Sequence, residues 1–166
     1  MDAAGPPLLS VFGGKLTTYR KLAETALGKL HGHIGGSPEN WTCRVALPGG
    51  DLPGGDFTAF LRDIRQRWPF LPESLALRLA RSYGTRMEAI LGSATCLDDL
   101  GKPLGAGLTA AEIEYLISSE WAVTAEDILW RRTKLGLHMT KEECSALERY
   151  MSARMAPGHV AIASRS

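Results

Sequence analysis

Thr109-Ala110-Ala111-Glu112, Thr124-Ala125-Glu126-Asp127 and Thr140-Lys141-Glu142-Glu143 set the same device three times into the last third of a 166-residue chain. In each, a threonine hydroxyl can accept a backbone N–H at a helix start while the acid three residues on reaches back. An apolar stripe at helical spacing follows each cap: Ile113, Leu116, Ile117 and Trp121 on the first, Ile128, Leu129 and Leu135 on the second, Cys144, Leu147 and Met151 on the third. Gly136 is placed to end the middle helix. The flanking sequences do not repeat, so the caps predict a helical bundle rather than a repeat array.

Upstream the same texture continues. Asp56 can cap a helix carrying Phe57, Phe60, Leu61, Ile64 and Trp68, closed by Pro69, and Pro72 suits the first turn of the next, whose stripe is Leu75, Leu79 and Tyr83. Gly84 breaks that run before Met87, Ile90 and Leu91, and residues 92–108 read as a loop. Gly and Pro crowd residues 32–55, the composition of a linker or wrapping loop. The beginning differs in kind. Leu8 to Phe12 is apolar on both alternating faces apart from Ser10, the pattern of a strand covered on both sides. Gly13-Gly14 then turns the chain into a helix over about 17–31, with Leu22, Ala23, Ala26, Leu27 and Leu30 as its stripe and Gly32 as its stop. The only other strand-like stretches, 44–47 and 159–163, are too few and too short to complete a sheet. The expected architecture is therefore mostly α: a helical C-terminal domain at 56–154 with a tail at 155–166, preceded by a strand-turn-helix remnant at 1–31 of a larger domain. An orphaned strand of this kind should leave residues 1–16 loosely ordered or paired with another copy.

Composition narrows the function classes. Hydrophobic residues make up 45% and Asp, Glu, Lys and Arg 22%, the balance of a chain that buries a core. The net charge of +1 gives no global field to gather nucleic acid or an anionic membrane. Cys43, Cys96 and Cys144 lie far apart without a framework, as in a reducing cytoplasm. No apolar run approaches the roughly 20 residues of a spanning helix, and Met1-Asp2-Ala3-Ala4 lacks the basic start of a signal peptide, so a soluble chain is expected. The most suggestive chemistry is Gly13-Gly14-Lys15-Leu16-Thr17-Thr18, where a glycine turn feeding a helix aims unpaired N–H groups at one spot. It is not a phosphate loop of the Walker type, because Leu9 and Leu16 stand where that pattern needs glycine and a hydroxyl, and it is not a Gly-x-Gly-x-x-Gly turn. Spacing alone leaves a bare turn and an anion site equally open. His31-Gly32-His33 lacks further ligands, so no metal is assigned. Cys144 belongs to an apolar stripe, so its neighbour His138 does not make it a nucleophile. Trp130-Arg131-Arg132-Thr133-Lys134 joins cations to an aromatic, but Glu126 and Asp127 stand four or five residues earlier and can pair with them, which argues against nucleic acid.

Several segments taken in series carry a resemblance. Leu8 to Glu24, including Gly13-Gly14-Lys15-Leu16-Thr17-Thr18-Tyr19-Arg20, is similar to the closing segment of the FAD-dependent, respiratory glycerol-3-phosphate dehydrogenases. Leu47-Pro48-Gly49-Gly50, Tyr83-Gly84-Thr85, Asp99-Leu100-Gly101, Glu120-Trp121-Ala122 and Glu126 to Leu137 follow in the same order. The resemblance implies the C-terminal portion of an enzyme that oxidises sn-glycerol 3-phosphate to dihydroxyacetone phosphate, with FAD as hydride acceptor and a quinone as final electron acceptor. It implies a cytoplasmic enzyme peripheral to the inner membrane, in which homo-oligomers are compatible with the pattern. Gly13, Gly14, Lys15, Leu16, Thr17 and Thr18 would lie at the cofactor, with Lys15 near the flavin or the substrate phosphate as the catalytic candidate and Arg20 as a weaker one. Glu126, Asp127, Arg131 and Arg132 are assigned to structural ion pairs. The Gly-rich fingerprint for the ADP half of FAD is missing here, so the remainder of the flavin and substrate domain is the expected partner and this chain alone should be inactive. The competing reading is a stand-alone helical interaction module.

Overall fold

The structure, a computed structural model, describes residues 5–36 and 39–156, and divides into two compact units, 1–47 and 48–166. Met1 to Ala4, Ser37, Pro38, and the tail from 157 with the strand expected at 159–163, lie outside the described residues.

A strand must hand its N–H and C=O groups to a neighbour, and among the described residues of the first unit Leu8 to Phe12 has none. The expected strand is not formed, and Leu8 and Phe12 stand 91% and 93% exposed. Among the described residues the only ladder contact is a single antiparallel bridge between Pro103 and Thr109. At 44–47 no strand forms either: a 3-10 turn, Thr42–Arg44, takes its first residue, and 45–47 adopt no regular element. A 3-10 turn at Leu16–Thr18 leads into α1, Tyr19–Ile34. The helix runs through Gly28 and Gly32, since each interior glycine costs only about 1 kcal/mol. It stops at Gly35, whose φ of 70° ends the turn while its N–H reaches the carbonyl of His31. No apolar side chain of this unit is buried among the described residues; Glu24 is.

The second unit holds the core. Asp56 accepts from the N–H groups of Thr58 and Ala59 and opens α2, Phe57–Arg67. Then come α3, Glu73–Tyr83, the short α4, Met87–Leu91, α5, Ala110–Glu120, a π-helical turn at Asp127–Arg132, and α6, Lys141–Arg154. Ile64, Leu79, Met87, Ile113, Leu116, Ile128 and Leu147 are fully buried where these elements meet. The 92–108 stretch is not mere loop. Asp99 accepts from the N–H groups of Thr95 and Cys96 and fixes a 3-10 turn at Leu97–Leu100, and Leu100, Leu104 and Leu108 enter the core.

Each of the three sequence caps resolves differently. Thr140 and Glu143 exchange both bonds, at 3.2 and 2.8 Å. Thr124 and Asp127 do the same at 3.2 and 2.9 Å, but the chain beyond them widens into the π turn, closed by bonds from the N–H and hydroxyl of Thr133 to the Ile128 carbonyl. Gly136 therefore does not end a helix. A Cβ there would sit 2.6 Å from the Trp130 ring, so the position is held open by that close approach. Thr109 caps through its hydroxyl alone, since Glu112 has turned inward. Trp121, expected in the core, is 83% exposed in a left-handed conformation, and Ala122 takes the buried place.

Glu112 is fully buried and fully bonded. The Arg78 guanidinium grips both carboxylate oxygens at 2.7 and 2.6 Å, Tyr83 donates its hydroxyl at 2.7 Å, and Arg78 also binds the Gly107 carbonyl at 2.7 Å. Tyr83 packs edge-on against Tyr115, with centroids 5.6 Å apart. Burial first, and then the Glu112 charge, push the Tyr83 phenol far above its ordinary value, so it stays a donor. A second tie is a backbone contact: Thr85 N–H reaches the Gly49 carbonyl at 3.1 Å, and a Cβ on Gly84 would lie 1.8 Å from that oxygen.

Two outcomes are expected in urea unfolding. Arg78→Met strands a buried carboxylate and should lower stability by about 3 kcal/mol or more, whereas Arg78→Met combined with Glu112→Leu should recover at least half of that loss. Gly84→Ala, at a φ of 53° and against the Gly49 carbonyl, should cost about 2 kcal/mol or more with the slope of the transition unchanged.

Candidate functional site

The predicted turn is built by two glycines. Gly13 and Gly14 take φ values of 77° and 135°, where side chains are disfavoured, and Lys15 follows in extended conformation with φ −96° and ψ 143°. A Cβ on Gly13 would meet nothing within 4 Å, whereas one on Gly14 would crowd the Leu22 side chain at 3.2 Å. The N–H and the hydroxyl of Thr18 both donate to the Lys15 carbonyl at 3.0 Å. Thr18 thus fastens the turn and does not cap α1 with its side chain. The N–H groups of Leu16 and Thr17 have no acceptor among the described residues, and they sit at the positive end of the helix. Gly13 to Thr18 therefore form one exposed turn whose backbone donors and Lys15 ammonium suit an electron-rich or anionic group. No other ionisable side chain converges on it among the described hydrogen bonds and ion pairs.

Behind the turn, α1 is held by a polar clamp. The Thr42 hydroxyl donates to Glu24 Oε1 at 2.5 Å, Arg20 Nη1 donates to the same oxygen at 3.1 Å, and Lys21 Nζ lies 3.2 Å from Oε2. The Thr42 bond above all, reinforced by Lys21 and Arg20 against the effect of burial, holds the Glu24 carboxyl below its usual range. Arg20 is thereby committed to the clamp. The Arg20/Glu24 pair is visible at i, i+4 in the sequence; Thr42, which completes it, has no local signal.

The second motif singled out by sequence is a structural knot. Asp127 accepts through Oδ2 from the N–H groups of Val123 and Thr124 and from the Thr124 hydroxyl, and through Oδ1 from Arg131 at 2.9 Å. Arg131 also reaches Glu126 at 3.1 Å. Among the described residues Arg132 pairs with no acid. Its Nε donates to the Glu120 carbonyl at 2.7 Å, and Lys134 donates to the Trp130 carbonyl. The bonds from Thr124 and Val123, then that from Arg131, hold the Asp127 carboxyl far below its ordinary value. Among the described residues no three His, Cys, Asp or Glu side chains gather as a metal site. The three cysteines are free, with Cys43 and Cys96 exposed and Cys144 packed partly buried against the core. No described helix is long and apolar enough to cross a membrane. Sequence reasoning missed Arg78 and Tyr83 as the partners of Glu112, because nothing local links positions about 30 residues apart.

Residues 41–157 match a family described as the C-terminal domain of alpha-glycerophosphate oxidase. The chain is 47% identical over 145 residues to the aerobic glycerol-3-phosphate dehydrogenase of Escherichia coli (strain K12), covering 87% of this chain and 29% of that one. It is 47% identical over 148 residues to the glycerol-3-phosphate dehydrogenase of Pseudomonas aeruginosa, covering 89% and 29%. It is also 41% identical over 145 residues to the D-erythritol 1-phosphate dehydrogenase of Brucella abortus, covering 87% and 29%. The chain thus spans under a third of the length of these relatives.

The Asp127 knot has a pH signature. A carboxyl whose folded pKa is depressed contributes stability above its unfolded pKa of about 4 and loses it as pH falls through the folded value. Asp127→Asn should therefore melt below the unsubstituted chain at pH 7, and the gap should close as the pH drops below about 4 in a calorimetric series.

Proposed function

The chain belongs to the family of alpha-glycerophosphate oxidase C-terminal domains, and we propose that it is the C-terminal portion of a flavin-dependent enzyme oxidising sn-glycerol 3-phosphate to dihydroxyacetone phosphate. The observation that carries this is the span of the likeness. An alignment over 87% of the chain reaches back from the helical unit into α1, the helix that the Gly13–Thr18 turn begins. The first unit supports it too, since its described residues bury no apolar side chain while Leu8, Phe12 and Leu16 face solvent, as a corner of a larger domain would.

The residues of the turn fit FAD. Gly13 and Gly14 allow the backbone to approach a planar ring, the Leu16 and Thr17 N–H groups offer donors to its electron-rich edge, and α1 lends its positive end. FAD, when bound, supplies the hydride acceptor. The chain's own residues position and neutralise. Lys15 places an ammonium for the substrate phosphate or the ring, Thr18 holds the turn closed, and the Arg20–Glu24–Thr42 clamp keeps α1 in register. The contacts to the ADP half of FAD belong to the remainder of the polypeptide, so the isolated chain is inactive. Electrons leave for a quinone, with the enzyme peripheral to the inner membrane.

A second reading concerns the substrate. The 41% identity to a D-erythritol 1-phosphate dehydrogenase supports a longer polyol phosphate as the alternative substrate. Lys15 then reads the shared phosphate, and the length of the polyol is measured elsewhere.

The test is a chimera in which this chain replaces the corresponding portion of the Pseudomonas aeruginosa relative. It should reduce an artificial electron acceptor with glycerol 3-phosphate, and Lys15→Met should lower kcat/KM by roughly 10- to 100-fold, mostly in KM if the phosphate is the target, with Lys15→Arg restoring part of it. Undiminished activity in Lys15→Met removes Lys15 from the site. A folded, flavin-loaded chimera that turns over erythritol 1-phosphate and not glycerol 3-phosphate favours the second reading. One that uses neither substrate favours a helical interaction module.

A further inference from the structure

Residues 41–157 match the C-terminal-domain family, yet the first of them share a compact unit with α1. Thr42 is one of these. Its hydroxyl donates to Glu24 Oε1 at 2.5 Å and accepts from Arg20 Nη1 at 3.4 Å, while Arg20 reaches the same carboxylate oxygen at 3.1 Å. The Arg20–Glu24 bond is an ordinary i, i+4 pair that α1 makes with itself. The two bonds of Thr42 span 18 and 22 residues and fix the helix to the segment that follows it.

Burial gives this contact its weight. An exposed ion pair on a helix contributes little, but Glu24 is 8% exposed in a unit whose described apolar side chains all remain at least partly open to solvent. Its Oε2 is buried without a hydrogen bond among the described residues, with Lys21 Nζ at 3.2 Å as its ion-pair partner. Oε1 therefore carries the directed bonds, and a withdrawn carboxylate that loses one of its few donors moves toward water to replace it.

The turn has no such support of its own. A Cβ on Gly13 would meet nothing within 4 Å, Leu16 is 89% exposed, and the closing bonds run from Thr18 to the Lys15 carbonyl. Thr18 is followed at once by Tyr19, the first residue of α1. The turn thus takes its direction from the helix, and the helix takes its direction within this unit from the clamp.

We propose that Thr42 is a positioning residue for the Gly13–Thr18 turn: through the Glu24 carboxylate it aims the Lys15 ammonium, and this is a contribution of the C-terminal family domain to the site. The inference rests on the functional reading above and deepens it. Misplacing a binding group by about 1 Å costs up to about 100-fold, so the loss of one hydroxyl remote in sequence from Lys15 is felt at the substrate.

Thr42→Val keeps the shape of the side chain and removes the donor. In the 166-residue chain, hydrogen exchange of the α1 amides from Ala23 to Leu30 should quicken about threefold or more, with α3 and α5 unchanged. In the same chimera, kcat/KM for glycerol 3-phosphate should fall about 5- to 20-fold, mostly in KM, and Thr42→Ser should restore most of it. In a Lys15→Met background Thr42→Val should change kcat/KM by less than about twofold, because the ammonium it aims is gone. Glu24→Gln should give the same pattern and serves if Thr42→Val does not load flavin. Equal losses with and without Lys15 overturn the proposal, as does a Thr42→Ser chimera no better than Thr42→Val. An active chimera indifferent to Thr42→Val sinks this inference alone. A chimera inert toward every polyol phosphate sinks the functional reading; quickened exchange then leaves the clamp standing, and unchanged exchange removes it.

Discussion

A carboxylate with no access to water organises the helical unit. Glu112 needs every lone pair occupied, because an ion stripped of solvent costs several kcal/mol unless its partners replace the lost hydration. Its partners come from α3 through Arg78 and Tyr83, and Arg78 in turn fixes the Gly107 carbonyl in the loop before α5. The helices and the loop are thus tied through a single charged group, around which Leu79, Ile113 and Leu116 pack. Apolar packing alone tolerates sliding by a fraction of a turn; a guanidinium fork on a carboxylate does not, since both bonds need the two planes aligned.

That demand explains the departure from the capping pattern at Thr109. A surface glutamate three residues into a helix turns back to the cap, as Glu143 does, whereas one on the inward face is drawn to the core charge. The sequence cannot distinguish the two, because the competing partner lies 34 residues upstream. What was legible was local. Asp56, Thr124 and Thr140 read as caps and are caps, and the stripes of Phe60, Ile64, Leu79, Ile113 and Leu147 are buried as their spacing requires. What was not legible depends on contacts distant in sequence, or on an absence of them. Leu8 to Phe12 carries the composition of a buried strand, but a strand is a property of two paired segments and not of one. Gly32 carries the composition of a stop, but α1 continues until a residue with positive φ ends it.

The turn itself shows the same division. That Gly13-Gly14-Lys15 precedes a helix was readable from residue types, and so was the supply of backbone donors at its start. That Thr18 would spend its hydroxyl on the Lys15 carbonyl was not, because a threonine at a helix start is equally suited to capping N–H groups. The outcome leaves the donors of Leu16 and Thr17 unspent, which is the condition a ligand site needs and a self-contained cap would remove. Behind them Glu24 is the one buried residue among the described residues of its unit, and it is polar. Where a unit is stabilised by a clamp of hydrogen bonds and not by an apolar centre, its hydrophobic residues are available for burial elsewhere.

The π turn connects these ideas on the other unit. Inserting the wider turn after Asp127 lets Ile128 and Leu129 enter the core while Trp130, Arg131 and Arg132 point outward on consecutive positions. In an ordinary α-helix, an outward run of that kind would be polar and unremarkable in its bonds. Here Asp127 anchors the start, Thr133 closes the end on the Ile128 carbonyl, and Gly136 clears the space that the Trp130 ring fills. Each of these adaptations constrains what faces outward, and none adds apolar burial for the two indoles. Arg132 and Lys134, which extend from the same stretch, spend their bonds on the carbonyls of Glu120 and Trp130 and so help close the turn they leave.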